Sequence, residues 1–231
     1  QGIKIHTSTV ATDVQTTKKG VKAMLAPASG EGKAKEIEVE RVLVAIGVMG
    51  NVENLGLEEC AVDVERGSIT VDGDLRTSCP GIYALGDVAG APWLAHKASA
   101  EAIHCMERIA GHMGKPVNYD NIPGCAYCEP RVASVGLTER AAREQGYALK
   151  IGKFPFAASG KSLAIEAKDG FAKVIFDEAT GELLGAHIIG HGATELIAEM
   201  TLARTLEATE QDILGTIHAH PTLAEAIHEA V

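Results

Sequence analysis

His218, His220, Pro221 and Glu225 fall within the string His218-Ala219-His220-Pro221-Thr222-Leu223-Ala224-Glu225, close to the end of the chain. Imidazole and carboxylate at such spacing can do acid–base chemistry. Pro221 suits the first position of a helix, where its missing N–H is no loss. His220 then lies on the loop entering that helix, with Glu225 about one turn inside. From there the carboxylate can reach back to one ring nitrogen. That contact would fix the tautomer, steady the ring and raise its basicity, as a general base requires. A surface helix start with scattered polar residues has the same composition, so the residues by themselves leave both readings open.

A second carboxylate in a suggestive place is Asp87. In Thr77-Ser78-Cys79-Pro80-Gly81-Ile82-Tyr83-Ala84-Leu85-Gly86-Asp87-Val88, Pro80-Gly81 reads as a turn and Ile82 to Leu85 as a short buried strand. Gly86-Asp87 then sits at the carboxyl end of that strand, where open α/β sheets place ligands. A carboxylate there can accept hydrogen bonds from a sugar-like hydroxyl, although a plain polar strand end looks the same. Shortly after, Leu94-Ala95-His96-Lys97-Ala98 opens a helix running to about His112. Its first-turn N–H groups attract anionic or electron-rich ligand atoms.

Three other patterns carry less. Gly190-His191-Gly192 follows a strand and opens a helix, but Glu195 stands where a dinucleotide fingerprint needs its third glycine. A tight strand-to-helix turn explains those glycines better. Cys125-Ala126-Tyr127-Cys128 has redox or half-zinc spacing. No second cysteine pair or histidine pair completes a metal site, and an extended segment would point the two side chains to opposite faces. Glu207 to Asp212 is acidic, yet its spacing does not converge with the histidines, so it reads as a solvated helix connection and no metal is expected.

The elements that must position these residues follow from periodicity. Ile3 to Thr7 and Val21 to Leu25 alternate as strands, with Lys18-Lys19-Gly20 as the turn into the second. Ser29 to Lys33 is a loop. Glu36 to Glu40 alternates again and leads into Val42-Leu43-Val44-Ala45-Ile46-Gly47, an apolar run suited to a buried strand. Gly67 to Asp72 is a further strand, and Pro116 to Pro123 reads as a linker. Beyond it come a strand at Arg131 to Gly136 and a helix capped by Thr138. A hairpin follows over Phe171 to Phe176 and Leu183 to Ile189. Helices are expected at Thr194 to Glu207, Thr209 to Leu214, and Pro221 to the end. Leu196, Ile197, Met200, Leu202 and Leu206 exceed what one small core needs and read as an association surface.

The chain has 231 residues and a formal net charge of -10, with no basic tract to neutralise phosphates, so nucleic acid is not an expected partner. No apolar run is long enough to span a bilayer, so no membrane is expected either. Five irregularly spaced cysteines do not form a disulfide framework, which fits a reducing, cytoplasmic location. The opening at Gln1 reads as a cut from something longer.

The closing histidine string and the Gly86-Asp87 string resemble motifs of the flavin-dependent pyridine nucleotide–disulfide oxidoreductases, and within them the dihydrolipoamide dehydrogenase branch. Val44-Ala45-Ile46-Gly47 and Leu94-Ala95-His96-Lys97 support the resemblance, which spans Gln1 to Val231. It implies a mixture of α/β and α+β architecture. Residues 1–48 would be the tail of a Rossmann-like NAD domain, 49–117 a central segment returning to the FAD domain, and 118–231 an α+β dimerisation domain.

By the same resemblance, His220 is the catalytic base and Glu225 its partner. Asp87, with Gly86, meets the ribityl chain of FAD, while Leu94, Ala95 and His96 lie against the flavin ring mainly through backbone. Gly47 and Val10 fall where the family has backbone contacts to NAD. The implied activity oxidises dihydrolipoamide, carried on a lipoyl domain of a 2-oxo acid dehydrogenase complex, and reduces NAD through FAD and a redox disulfide, in a homodimer. A glutathione reductase-like enzyme shares the His-Pro string, and a dimerisation module without turnover is the alternative of another class. The family's FAD glycine loop, redox cysteine pair and NAD glycine loop do not occur in this sequence, so this chain is not expected to retain FAD or NAD.

Overall fold

The computed structural model describes residues 2–231. Gln1, the first residue of the expected NAD-domain tail, lies outside the described residues. The chain divides into two compact units, Gln1–Met49 and Gly50–Val231.

The first unit is an antiparallel sheet of β1 (Thr9–Thr16), β2 (Val21–Pro27) and β3 (Lys35–Val39), in that order. Ala11 pairs with Leu25, and Ala23 with Ile37. The first strand starts later than expected: Ile3 to Ile5 has no regular structure, and the ladder begins only where Thr9 finds Pro27. Val42 to Gly47 is a second departure. It forms no strand, and Leu43 and Ile46 are 90% and 94% exposed. A buried strand needs neighbours at its edges and a layer on each face. The described residues of this unit supply only the three-stranded sheet.

The second unit opens with a two-residue hairpin, β4 (Val64–Glu65) and β5 (Ser68–Ile69), shorter than the strand expected at Gly67 to Asp72. Ile82 to Leu85 is likewise no continuous strand. Only Tyr83 pairs, across to Arg76, because the turn at Pro80-Gly81 leaves room for a single bridge. Val62, Ile69 and Ala84 form a small core beneath these turns. Helix α1 (Ala95–Ile109) follows.

The rest is a five-stranded antiparallel sheet in the order β6-β7-β10-β9-β8. Its strands are β6 (Gly124–Ala126), β7 (Val132–Gly136), β8 (Leu149–Pro155), β9 (Phe171–Asp177) and β10 (Leu183–Ile189). Period-two alternation sends Ala172, Val174 and Phe176 to one face and Ile175 to the other. The first face is covered by α4 (Ala193–Thr205) and α6 (Glu225–His228), which bring in Ile197, Met200 and Ile227. On the second lies Ala142 of α2 (Glu139–Glu144), whose N-cap Thr138 accepts from the Ala141 N–H as expected. Short helices α3 (Gly160–Ala164) and α5 (Glu210–Gly215) complete the α+β arrangement.

Three further expectations change. Helix α6 begins at Glu225, not Pro221, and Pro221 lies in the preceding loop. Ile197 and Met200 are core residues rather than association surface, because that side of α4 lies on the sheet; Leu202 and Leu206 remain 59% and 69% exposed. The stretch from Pro116 to Pro123 is no loose linker. Asn118 caps a 3-10 turn at Tyr119–Asn121, and side chains on both sides hold it. Among the described residues, no helix is long and apolar enough to cross a membrane.

Candidate active site

The loop from Thr216 to Ala224 joins α5 to α6 and carries His220 at its middle. Nδ1 of His220 donates to Glu225 Oε1 at 2.8 Å. The other carboxylate oxygen accepts from the Thr222 N–H at 2.8 Å. Glu225 is the first helical residue, so this second bond also ties the helix start back to the loop. The Thr222 N–H, then the His220 ring, hold the Glu225 carboxyl below the usual carboxylate range. An ionised Glu225 therefore fixes the proton of His220 on Nδ1 and leaves Nε2 as the basic nitrogen. The imidazole is 79% exposed, so Nε2 is open to a reactant.

Gly86 and Asp87 begin a 3-10 turn, Gly86–Ala89. Gly86 has a left-handed φ of 73° and approaches Ala98 of α1 so closely that a Cβ would lie 3.2 Å from the alanine methyl. Its backbone is held on both sides. The Gly86 N–H donates to Glu101 Oε2 at 2.7 Å, and Lys97 Nζ donates to the Gly86 carbonyl at 2.9 Å. Lys97 and Glu101 are themselves paired at 3.2 Å and almost fully buried. The Tyr119 hydroxyl donates to Glu101 Oε1 at 2.7 Å; burial, with this carboxylate beside it, pushes the phenol up to about 12. This leaves Asp87 exposed at the turn with its carboxylate directed to no partner among the described residues.

At the start of α1, Leu94 is the N-cap and supplies no capping side chain, so the first-turn N–H groups are uncovered there. The His96 ring is occupied elsewhere, donating from Nε2 to the Pro123 carbonyl at 2.8 Å. Gly86 and the first turns of α1 are thus brought together, as are His220 and Glu225. Val10 and Gly47 lie in the other compact unit, Val10 in β1 and Gly47 in the exposed stretch after β3 with a φ of 126°.

The weaker patterns resolve simply. A Cβ on Gly190 would overlap the Phe156 ring, and Gly192 has the left-handed conformation at the N-cap of α4, so these glycines make a turn. Cys125 and Cys128 are not joined, and burial raises the Cys125 thiol, the wrong direction for a redox thiolate. Asp212 caps α5 through Thr209, and no group of potential metal ligands converges among the described residues.

Sequence reasoning missed the Lys97–Glu101 pair, although its i,i+4 spacing on one helix face was a signal. It also missed the contact of Glu199 with His218, nineteen residues apart on separate elements, for which the sequence carries no signal.

Two family models match the chain: the pyridine nucleotide-disulphide oxidoreductase model over residues 1–102, and that family's dimerisation domain over residues 122–231. A dihydrolipoyl dehydrogenase of Zymomonas mobilis is 51% identical over 233 residues, covering 100% of this chain and 49% of that protein. One from Rhizobium etli is 48% identical, with coverage of 100% and 48%, and a mitochondrial one from Pisum sativum is 40% identical, with coverage of 100% and 46%. The chain spans about half the length of the curated relatives it matches. Among solved structures, LpdA from Mycobacterium tuberculosis superposes with a TM-score of 0.87 at 26% identity, covering 99% of this chain and 49% of that one. The flavoprotein disulfide reductase RclA from Escherichia coli shares the fold, with a TM-score of 0.83 at 23% identity and coverage of 94% and 49%.

Proposed function

The chain belongs to the pyridine nucleotide–disulphide oxidoreductase family, and from that premise we propose that it is the C-terminal half of a dihydrolipoyl dehydrogenase. The observation that carries the proposal is the His220–Glu225 contact, with Nδ1 committed to the carboxylate and Nε2 open. In this reading Nε2 takes the proton of a dihydrolipoamide thiol. The thiolate, and not the thiol, attacks a disulfide, so holding that proton is what the site contributes. Glu225 stabilises the resulting imidazolium and keeps the ring in register, and Thr222 keeps Glu225 ionised while it does so. The names of the curated relatives favour this substrate over glutathione disulfide.

FAD, when bound, relays electrons between the disulfide and NAD. The residues present fit part of a flavin site. Asp87 offers an exposed, unpartnered carboxylate to a hydroxyl, Gly86 lets that turn close on Ala98 of α1, and the start of α1 offers uncapped N–H groups. Neither glycine-rich loop nor the redox cysteine pair occurs in this sequence, so the chain by itself should be colourless and without turnover.

The division proposed is residues 1–48 for the end of an NAD domain, with Gly47 and Val10 offering backbone to NAD. Residues 49–117 make the central FAD segment, and 118–231 the dimerisation domain. The break between Met49 and Gly50 and the family match from residue 122 support it. A homodimer serving a lipoyl domain of a 2-oxo acid dehydrogenase complex in the cytoplasm completes the reading. The test is NAD reduction by dihydrolipoamide in the complete flavin-loaded protein. Brisk turnover is expected; activity with glutathione disulfide instead would overturn the substrate, and neither activity would leave only a dimerising role.

A further inference from the structure

Two residues before His220 stands a second imidazole in different surroundings. The His218 side chain is 7% exposed, against 79% for His220. Its Nε2 lies 2.7 Å from Glu199 Oε1, and its Nδ1 lies 3.1 Å from the Thr216 carbonyl. Both nitrogens face acceptors, an arrangement that a protonated ring satisfies in full. The ring also packs against His228, with centroids 5.2 Å apart.

The partners of His218 stand on firm ground. Glu199 lies on α4 between Ile197 and Met200, both in the main core. His228 closes α6, directly after the buried Ala226 and Ile227. Beyond the two bonds that Glu225 makes to His220 and to the Thr222 N–H, the side chains of the loop do little to hold it. Ile217 is 98% exposed, and the side-chain bonds of Thr216 and Thr222 return to neighbouring backbone, at Asp212 and Ala219. His218 adds to the ties from Glu225 a bond to α4, through Glu199, and a ring contact with His228 of α6. His218 is also the last and smallest of the neighbours, after Thr222 and His220, that hold the Glu225 carboxyl low. The titratable groups around it are Glu199 from α4, His228 and Glu225 from α6, and Asp212 at the start of α5, whose carboxylate is engaged by Thr209.

We infer that His218 and Glu199 form a positioning pair for the base: they hold the loop so that His220 Nδ1 stays on Glu225 and Nε2 stays presented. The inference rests on the reading of His220 as the base. Displacing a reacting group by about an ångström can cost up to roughly a hundredfold in rate. Glu199→Gln and His218→Gln in the complete protein should each lower the dihydrolipoamide rate by about 10- to 100-fold, while electron transfer from NADH to an artificial acceptor is unchanged. In the 231-residue chain, the same substitutions should remove the exchange protection of the His220 Nδ1–H proton seen by NMR, a signature that a merely structural role would not move.

An unchanged dihydrolipoamide rate with an unchanged His220 signal in both variants overturns the inference. So does an equal fall in both activities. Should Glu199→Gln lower the melting temperature sharply, Glu199→Asp keeps the charge and should recover part of the rate and of the protection; no recovery counts against the inference. If His220→Gln itself leaves dihydrolipoamide oxidation intact, the base assignment fails instead, and the NMR result still decides whether His218 holds His220.

Discussion

Glu225 holds His220 at 2.8 Å with one carboxylate oxygen and the start of its own loop, through Thr222, with the other. One side chain therefore sets both the tautomer of the base and the path of the chain that carries it. The two functions separate under mutation, because glutamine keeps a hydrogen-bonding shape but loses the charge.

In the complete protein, His220→Gln should lower dihydrolipoamide-dependent turnover by about a hundred- to ten-thousand-fold. Glu225→Gln should cost less. Flavin content and the rate with an artificial acceptor should survive both. The ratio of the two activities is the measurement, and an equal fall in both would make His220 structural.

Acid stability follows from six lowered carboxyls among the described residues, of which three show the causes. Glu139 is held low by Lys173 and then Arg143, Asp212 by the Thr209 N–H, and Glu225 by the Thr222 N–H. A carboxyl lowered by folding stabilises the fold above its unfolded value, about 4, and that contribution is lost as pH falls through the folded value. Stability should thus hold from neutral pH to roughly pH 4 and fall below it. Glu139→Gln should be less stable at neutral pH and should lose less on acidification. Urea midpoints between about pH 3 and 7 check this; parallel curves for the two proteins would refute it.

Gly152, in β8, lies beneath the end of the chain. A Cβ there would overlap the Ala230 carbonyl and touch Val174. Gly152→Ala should cost about 1–3 kcal/mol, as overpacked cores do, and should push the turn after α6 outward. Thermal melts read the first effect. A variant as stable as the parent would show that the C-terminal turn yields without strain.

Association should run through the exposed side of α4. Leu202, Leu206 and the neighbouring Ile217 are apolar and uncovered. Leu206→Asp should shift the complete protein from dimer toward monomer in light scattering, while Leu163→Asp, at another exposed leucine, on α3, should not. A dimer unmoved by Leu206→Asp would place the interface elsewhere.

The sequence made the C-terminal region legible wherever a local signal sufficed. Thr138 marks its helix, the Phe171 and Leu183 runs mark their hairpin, and Thr209 marks the start of α5. Strand β8 escaped because Gly152 interrupts its alternation and Pro155 ends it; a non-local need, room for Ala230, put that glycine there. Val42 to Gly47 misled in the opposite sense, since an apolar run signals burial only where neighbours exist to bury it. At the site, His220 and Glu225 were close enough in sequence to be paired. The helix start was misplaced because Pro221 to Ala224 belong to the loop and the helix begins only at Glu225.

The turn at Tyr119–Asn121 is gripped from both sides. Tyr119 binds Glu101 behind Gly86, while Asn121 binds Thr201 and Thr205 on α4, and Arg204 returns two bonds to Asp120 and Asn121. Anyone recombining relatives at this natural-looking junction would be cutting through a clasp. A chimera that takes α1 from one parent and the sheet with α4 from another should fold in its own register only if Tyr119, Asn121 and Arg204 travel with the residues they bind. Crossovers are therefore better tolerated on the far side of either grip than between them.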